Sequence, residues 1–326
     1  MTAIRSVLVA DIGGTNARFA LARHEGGQLQ LSDIRVLAVE EHPTLQAAAQ
    51  AYLRSAGASA DIRTAVFAVA SAVSADQIKL TNSPWSFSIR ALQTELRMPD
   101  LRIVNDFAAL SMALPHLLSS DLDRLGQADI PARIGQERSY ATLGPGTGLG
   151  VGGLRLANGR GVVIESEGGH AGFAPSSDFE MAILKFLLGK YERVSNERLL
   201  CGAGLVNLYE AICAIEGAAA DHNEPQFIVA EAEEKSDSVA DRTVETFCAL
   251  LGAVAGDVAL TLGAWDGVYL GGGIAQKLAA RLQRSTFRAR FEAKGRHAPL
   301  MQRIPTWNIL HPAVGLLGAA AFATQA

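Results

Sequence analysis

The chain has 326 residues, of which 49% are hydrophobic and only 6% aromatic, with a net charge of −4 and three cysteines. That length holds about two domains with cores filled by aliphatic side chains. The charge balance shows no clustered Lys and Arg of a nucleic-acid surface. The odd cysteines Cys201, Cys213 and Cys248 lack metal-like spacing and read as reduced thiols rather than a disulfide framework. The N-terminal apolar stretch is too short for a signal peptide, and the run after Pro312 is too short for a bilayer span. The expectation is a cytoplasmic protein with neither membrane nor nucleic-acid partners.

The first third alternates strand-like and helix-like segments. Strands are expected near residues 5–11, 16–23 and 30–38, then a helix from His42 to Arg54. Thr64 to Val73 reads as a buried strand, Gln77 to Leu80 as a short partner, and Ser88 to Arg97 as a helix. The strand Leu101 to Val104 ends at Asn105-Asp106, and a helix Phe107 to Leu114 stops before Pro115. Residues 117–138 are polar and charged and read as a crossing between lobes. A second β-rich block starts near Tyr140, where Ala141 to Leu143 leads into a glycine–threonine turn and Leu149 to Leu154 continues as strand. This repeats the N-terminal layout of strand, turn and strand. Helices follow at Asp178 to Glu192, Gly204 to Ile215, Pro225 to Lys235 and Val239 to Gly263. Asp266 to Leu270 is a strand running into a glycine triplet and a helix from Ala275, Ile304 to Leu310 is the last strand, and an Ala-rich helix closes the chain.

Five segments carry chemistry. Asp11-Ile12-Gly13-Gly14-Thr15-Asn16 is a tight turn led by a carboxylate. Its glycines admit close backbone approach, its N–H groups form an anion nest, and Thr15 and Asn16 add donors. Asp11 has the charge for a hydrated Mg²⁺, so the segment reads as a metal–phosphate grip, or more plainly as a hairpin with a glycine turn. Asp106, at a strand end, is placed either to take a proton from an attacking hydroxyl or to cap the following helix, with Asn105 beside it to hold another hydroxyl. In Glu165-Ser166-Glu167-Gly168-Gly169-His170, Glu167 and His170 suit hydroxyl binding, or the segment is a solvated turn. In Ser195-Asn196-Glu197-Arg198, Glu197 is a third hydroxyl acceptor, or Ser195 caps a short helix. Gly271-Gly272-Gly273 allows contact with a flat ring or ribose, or is only a strand–helix connection.

Other chemistries are excluded by pattern. No P-loop motif and no G-x-S-x-G elbow occurs. Gly148 to Gly153 matches G-x-G-x-x-G but sits in a strand-like run and opens no helix. Glu167 and His170 have no nearby Cys for a zinc site. Together, two phosphate-type turns, a base at a strand end, hydroxyl binders and a nucleoside-type glycine run are what ATP-dependent phosphorylation of a polyol needs.

The chain resembles bacterial glucokinase of the non-ROK type, within the actin-like sugar-kinase and Hsp70 ATPase superfamily. The carriers are Ala10 to Arg18, Leu80-Thr81-Asn82-Ser83-Pro84-Trp85, Val104-Asn105-Asp106-Phe107, Gly144 to Gly150, Glu167 to His170, Ser195 to Arg198 and Leu270 to Ile274. ROK kinases carry a cysteine-rich zinc motif after the histidine, whereas Ala171 to Pro175 has no cysteine here. The resemblance implies a two-lobed α/β actin-like ATPase (ribonuclease H-like) fold, each lobe a mixed sheet flanked by helices. The lobes are expected at 1–116 plus 311–326 and at 117–310, closing on D-glucose with Mg·ATP. It implies Asp106 as general base toward the 6-hydroxyl and Asn105, Glu167, His170 and Glu197 on the other hydroxyls. Asp11 would position Mg²⁺ through water. Gly13, Gly14, Thr15, Asn16, Gly146 and Thr147 would hold phosphates, Gly272 and Gly273 would approach the adenosine, and a homodimer is expected. Gly172 stands where an acidic residue is expected, and no proline occurs in Ala70-Ser71-Ala72-Val73 where one is expected. Alternatives are a kinase for mannose, glucosamine or fructose, a sugar sensor without turnover, and an actin-like or chaperone-type ATPase.

Overall fold

The structure, a computed structural model, describes residues 6–57, 62–71, 73, 75–80, 83–128 and 137–324. Ala72 and the Thr81-Asn82 pair lie outside them. The chain opens with β1 (Val7–Ile12), β2 (Asn16–Glu25), β3 (Gln28–Ala38), α1 (Leu45–Ser55), β4 (Thr64–Val69), β5 (Gln77–Lys79) and β6 (Ser86–Ser88). Next come α2 (Ile89–Leu96), β7 (Asp100–Asn105), α3 (Asp106–Ala113), β8 (Leu122–Arg124), β9 (Arg138–Pro145), β10 (Leu149–Ala157) and β11 (Arg160–Ser166). Then follow α4 (Asp178–Leu188), α5 (Gly202–Glu216), α6 (Pro225–Glu234), α7 (Val239–Leu262) and β12 (Gly267–Leu270). The short helices α8 (Gly273–Lys277), α9 (Ala279–Arg284), α10 (Phe287–Glu292) and α11 (Ala298–Met301) precede β13 (Thr306–Ile309) and α12 (Val314–Thr324). Two compact units result, one of Met1–Ser119, Gly159–Glu165 and His311–Ala326, the other of Ser120–Asn158 and Ser166–Leu310.

The sheet of the first unit has the order β3-β2-β1-β4-β7. Pairing is antiparallel from β3 to β1 and parallel from β1 to β7. Side chains alternate across a strand, so Leu8, Ala10 and Ile12 join Phe19, Tyr52 and Phe67 on one face. Val9, Ala20 and Val66 pack with Leu316 and Ala320 of α12 on the other. Burial of both faces explains the unbroken apolar runs of β1 and β4. The apolar strand expected to reach Val73 ends at Val69, where the Ser71 amide turns back onto the Val69 carbonyl at 2.8 Å. The helix expected from His42 starts at Leu45, because the Thr44 hydroxyl caps it by accepting from the Ala47 amide.

In the second unit, β10-β9-β12-β13-β8 lie side by side. The pairings run antiparallel, parallel, parallel and antiparallel. The quartet β10-β9-β12-β13 repeats the directions of β2-β1-β4-β7, so the strand–turn–strand layouts read in the sequence are equivalent corners of two like sheets. β6, β8 and β11 went unpredicted; β6 and β8 have three residues each and the burial of β11 does not alternate cleanly. α4 stops at Leu188 rather than Glu192, with Gly189 at its end. α7 is long and apolar enough to cross a membrane by length and composition. In the protein it is a core helix, its Phe247, Leu251 and Val254 clustered with Leu208 and Ile212 of α5 and Phe291 of α10.

α12 crosses α3 closely. A Cβ on Gly318 would lie 1.7 Å from the Ala109 carbonyl oxygen, so only glycine fits. Gly318→Ala is expected to lower stability by about 1–3 kcal/mol or more, because backbone rather than a flexible side chain must yield. An unchanged urea midpoint would show that α12 is not seated there.

Candidate active site

Parallel strands end together in the first unit, and the polar residues sit at those ends. Asn105 closes β7, and its Oδ1 accepts from the Phe107 and Ala108 amides at 2.9 and 3.1 Å. Its Nδ2 donates to the Ser71 carbonyl at 3.3 Å, and its side chain also hydrogen-bonds the Asp106 carboxyl. Asn105 is therefore the helix cap, a role the sequence offered to Asp106. Asp106 takes the first helical position, where its Oδ1 accepts from the adjacent Phe107 amide at 2.9 Å. Burial, and then the nearby Asp11 carboxylate, push the Asp106 carboxyl up to about 6, against its hydrogen bonds.

Asp11 faces Arg18 across the β1–β2 pair, with Nη1 3.4 Å from Oδ2. Burial raises the Asp11 carboxyl above its usual range and Arg18 only partly offsets this. The backbone of α12 backs the carboxylate, since a Cβ on Gly315 would lie 2.8 Å from Asp11 Cγ. Arg18 was missed at the sequence level, although pairing back from a turn at Gly13–Thr15 places it opposite Asp11. The turn is a hairpin, as its plainer reading had it. The Gly13 amide donates to the Asn16 carbonyl at 3.0 Å, and the Thr15 carbonyl accepts from Val39 at 2.9 Å. Thr15 and Asn16 are exposed.

In the second unit the β9–β10 turn is drawn tight by the Gly146 amide, which donates to the Gly148 carbonyl at 2.8 Å. Gly146 also accepts from Gly202 at 2.9 Å, which brings the start of α5 to the turn. Cys201 caps that helix, its Sγ accepting from the Gly204 amide at 3.3 Å. Thr147 is exposed at the tip.

The glycines of Glu167-Gly168-Gly169-His170 serve close packing on β10. A Cβ on Gly169 would lie 2.0 Å from the Leu149 carbonyl oxygen, and one on Gly168 2.9 Å from Val151. With its backbone pressed down, the turn presents Glu167 and His170, whose side chains are 76% and 58% exposed. The segment 171–173 pairs with 194–196 through Asn196 N to Ala171 O at 2.9 Å and Phe173 N to Val194 O at 3.0 Å. That pairing sets Glu197 beside His170, 3.9 Å from Oε1 to Nε2, with Glu167 4.0 Å from the same nitrogen. Three sequence-predicted hydroxyl binders thus converge. Ser195 makes no side-chain cap to the 3-10 turn Asn196–Arg198, contrary to its plainer reading.

The glycine triplet adjoins the β9–β10 turn. Gly271 donates to Leu143 O at 2.7 Å, and Gly272, at φ +82°, would put a Cβ 2.6 Å from the Pro145 carbonyl oxygen. Gly273 faces open space.

The fold is that of the two-domain α/β sugar kinases. A solved glucokinase from an Antarctic psychrotroph matches with a TM-score of 0.88 at 33% identity, over 98% of this chain and 99% of that one. A ROK-family glucokinase from Streptomyces griseus, solved with glucose and AMPPNP, matches at 0.65 and 19% identity over 98% and 100%. The glucokinase of Stenotrophomonas maltophilia (strain R551-3) is 49% identical over 98% of this chain and 95% of its own. A family model described as Glucokinase matches residues 8–326, and the chain belongs to the glucokinase family.

The Asp106 carboxyl carries its own stability signature. Its pKa in the folded protein, about 6, lies above the ordinary 3.8, so the folded state binds the proton more tightly. Stability is lost as pH rises from about 4 through about 6, and the full cost stands above that. Asp106→Asn should therefore be more stable than wild type at pH 7.5 by about 1–3 kcal/mol, with the gap closing toward pH 4. Urea titrations at both pH values measure it; a gap that does not depend on pH would contradict the buried charge.

Proposed function

We propose that this protein transfers the γ-phosphoryl group of ATP to the 6-hydroxyl of D-glucose, with Asp106 as general base. The observation that carries the reading is a buried carboxyl at a strand end, beside the capping Asn105, whose pKa is raised to about 6. Above that pH, Asp106 accepts the hydroxyl proton as the sugar oxygen bonds to phosphorus and the bond to the ADP oxygen breaks. Asn105, Glu167, His170 and Glu197 hold the remaining hydroxyls, and a carboxylate left facing an epimer without its partner would disfavour that sugar.

In the turn of Gly13, Gly14, Thr15 and Asn16 and in that of Gly146 and Thr147, the Gly13 and Gly146 amides close the turns while the Gly14 and Thr15 amides, the Asn16 side chain and the Thr15 and Thr147 hydroxyls hold phosphate oxygens, and Gly272 and Gly273 lie against the adenosine. The half-buried Asp11 is an oxygen donor suited to Mg²⁺ held through water, since that ion takes one or two carboxylates plus substrate phosphates. Bound Mg²⁺ would neutralise charge on the phosphates as the group moves. The lobes of this reading are 1–116 plus 311–326 and 117–310, whereas the compact units differ in placing Gly159–Glu165 with the first. The non-ROK assignment is supported by the cysteine-free segment Ala171 to Pro175. A cytoplasmic homodimer supplying glucose 6-phosphate to glycolysis completes the reading.

ADP release from Mg·ATP is to be compared across glucose, mannose, fructose, glucosamine and no sugar. Glucose should give the highest kcat/KM, and its acid limb should fall about tenfold per pH unit below about pH 6. Asp106→Asn should cut kcat by about 10²–10⁴-fold while glucose still binds. Near-normal turnover in that variant would remove Asp106 from the chemistry, and preference for another hexose would change the substrate.

A further inference from the structure

Glu197 touches two parts of the second unit that the proposed function treats separately. Its Oε2 accepts from the Leu149 amide at 2.9 Å, at the foot of the β9–β10 turn. The same oxygen lies against Gly148, where a Cβ would come within 2.5 Å. Its Oε1 faces His170 Nε2 at 3.9 Å. The segment bearing it is fastened independently. Asn207 Nδ2 donates to the Arg198 carbonyl at 2.8 Å, the Arg198 guanidinium stacks 4.2 Å over the Tyr191 ring, and the Tyr191 hydroxyl donates to Asn207 at 3.0 Å. The carboxylate is thus a fixed strut, one oxygen on the glycine turn and the other on the hydroxyl cluster.

We propose that Glu197 couples the two ligands, so that sugar bound at Oε1 stiffens the Gly146–Leu149 turn through Oε2 and phosphate bound at the turn orients Oε1 for the sugar. This rests on the reading of Glu197 as a hydroxyl acceptor and of the turn as a phosphate holder. Coupling of this kind is reciprocal, since each ligand must change the affinity of the other by the same factor. It also makes Gly148, a turn residue, a determinant of sugar affinity.

Gly148 and Gly146 separate the idea from a general effect on the turn. A methyl on Gly148 meets the far end of a flexible side chain, so Gly148→Ala should fold but displace the Glu197 carboxylate. A methyl on Gly146 meets nothing within 4 Å. Calorimetric titration of glucose into each variant without nucleotide should give a Kd raised about tenfold for Gly148→Ala, the loss of a charged contact, and changed less than about twofold for Gly146→Ala. Equal glucose affinity in the two variants would overturn the proposal. A second pair reads the other direction. Glu197→Ala should weaken Mg·ADP binding measured without sugar, and Glu197→Gln, whose amide oxygen still accepts from Leu149, should restore it. Nucleotide affinity unchanged in Glu197→Ala would reduce Glu197 to a sugar ligand. Glucose-dependent turnover of the wild type, measured alongside, separates failure of the coupling from failure of the glucokinase reading, because wild type would keep that turnover in the first case only.

Discussion

Two carboxylates held near one another at the ends of parallel strands are the constraint on which the first unit depends. Burial raises both the Asp11 and the Asp106 carboxyls, and the Asp11 carboxylate makes ionisation of Asp106 harder still. The surrounding structure manages that repulsion. Arg18 stands opposite Asp11, Asn105 caps the helix and shares the Phe107 amide with Asp106, and helix backbone at Gly315 closes off the rear of Asp11. The result is a carboxyl at Asp106 whose pKa is raised to about 6, beside a second buried carboxyl at Asp11.

The second unit solves a different problem, placing polar side chains on turns that lie directly over the core residues Leu149, Val151 and Leu199. It presses backbone onto backbone. Gly169 on Leu149 and Gly272 on Pro145 are contacts that any side chain would break, and with the Glu197 carboxylate against Gly148 they bring the β9–β10 turn, the Glu167–His170–Glu197 cluster and the glycine triplet into one neighbourhood. The glycine-rich character of these motifs therefore has a packing cause of its own.

Much of this was legible in the sequence. The long periodic helices, the apolar strands and the turn at Asp11 followed from local pattern, and the combination of motifs carried the family. What was not legible depended on tertiary placement. Asn105 and Asp106 both cap well in isolation, and the extended backbone at Asn105, where β7 ends, decides between them. Arg18 reads as an ordinary strand residue until the hairpin register is known. Glu197 gave no sign of its bond to Leu149, 48 residues away. The short strands β6 and β8 lack the length for a periodic signal. The membrane-like composition of α7 reflects burial among other helices, which one-dimensional pattern does not separate from burial in lipid.

The seat of α12 on the first sheet also governs the order in which the chain can fold. Residues 314–324 cover Val9 and Val66 and fit Gly318 onto Ala109, so the first unit joins residues separated by most of the sequence. On a ribosome, β1 to α3 emerge early but wait with one apolar face bare until the last helix is made, while the second unit has by then been synthesised in full. Such long-range closure slows folding and prolongs exposure of apolar strands. Early segments of this chain are thus the ones that most need protection during synthesis, although they are among the best buried in the finished protein.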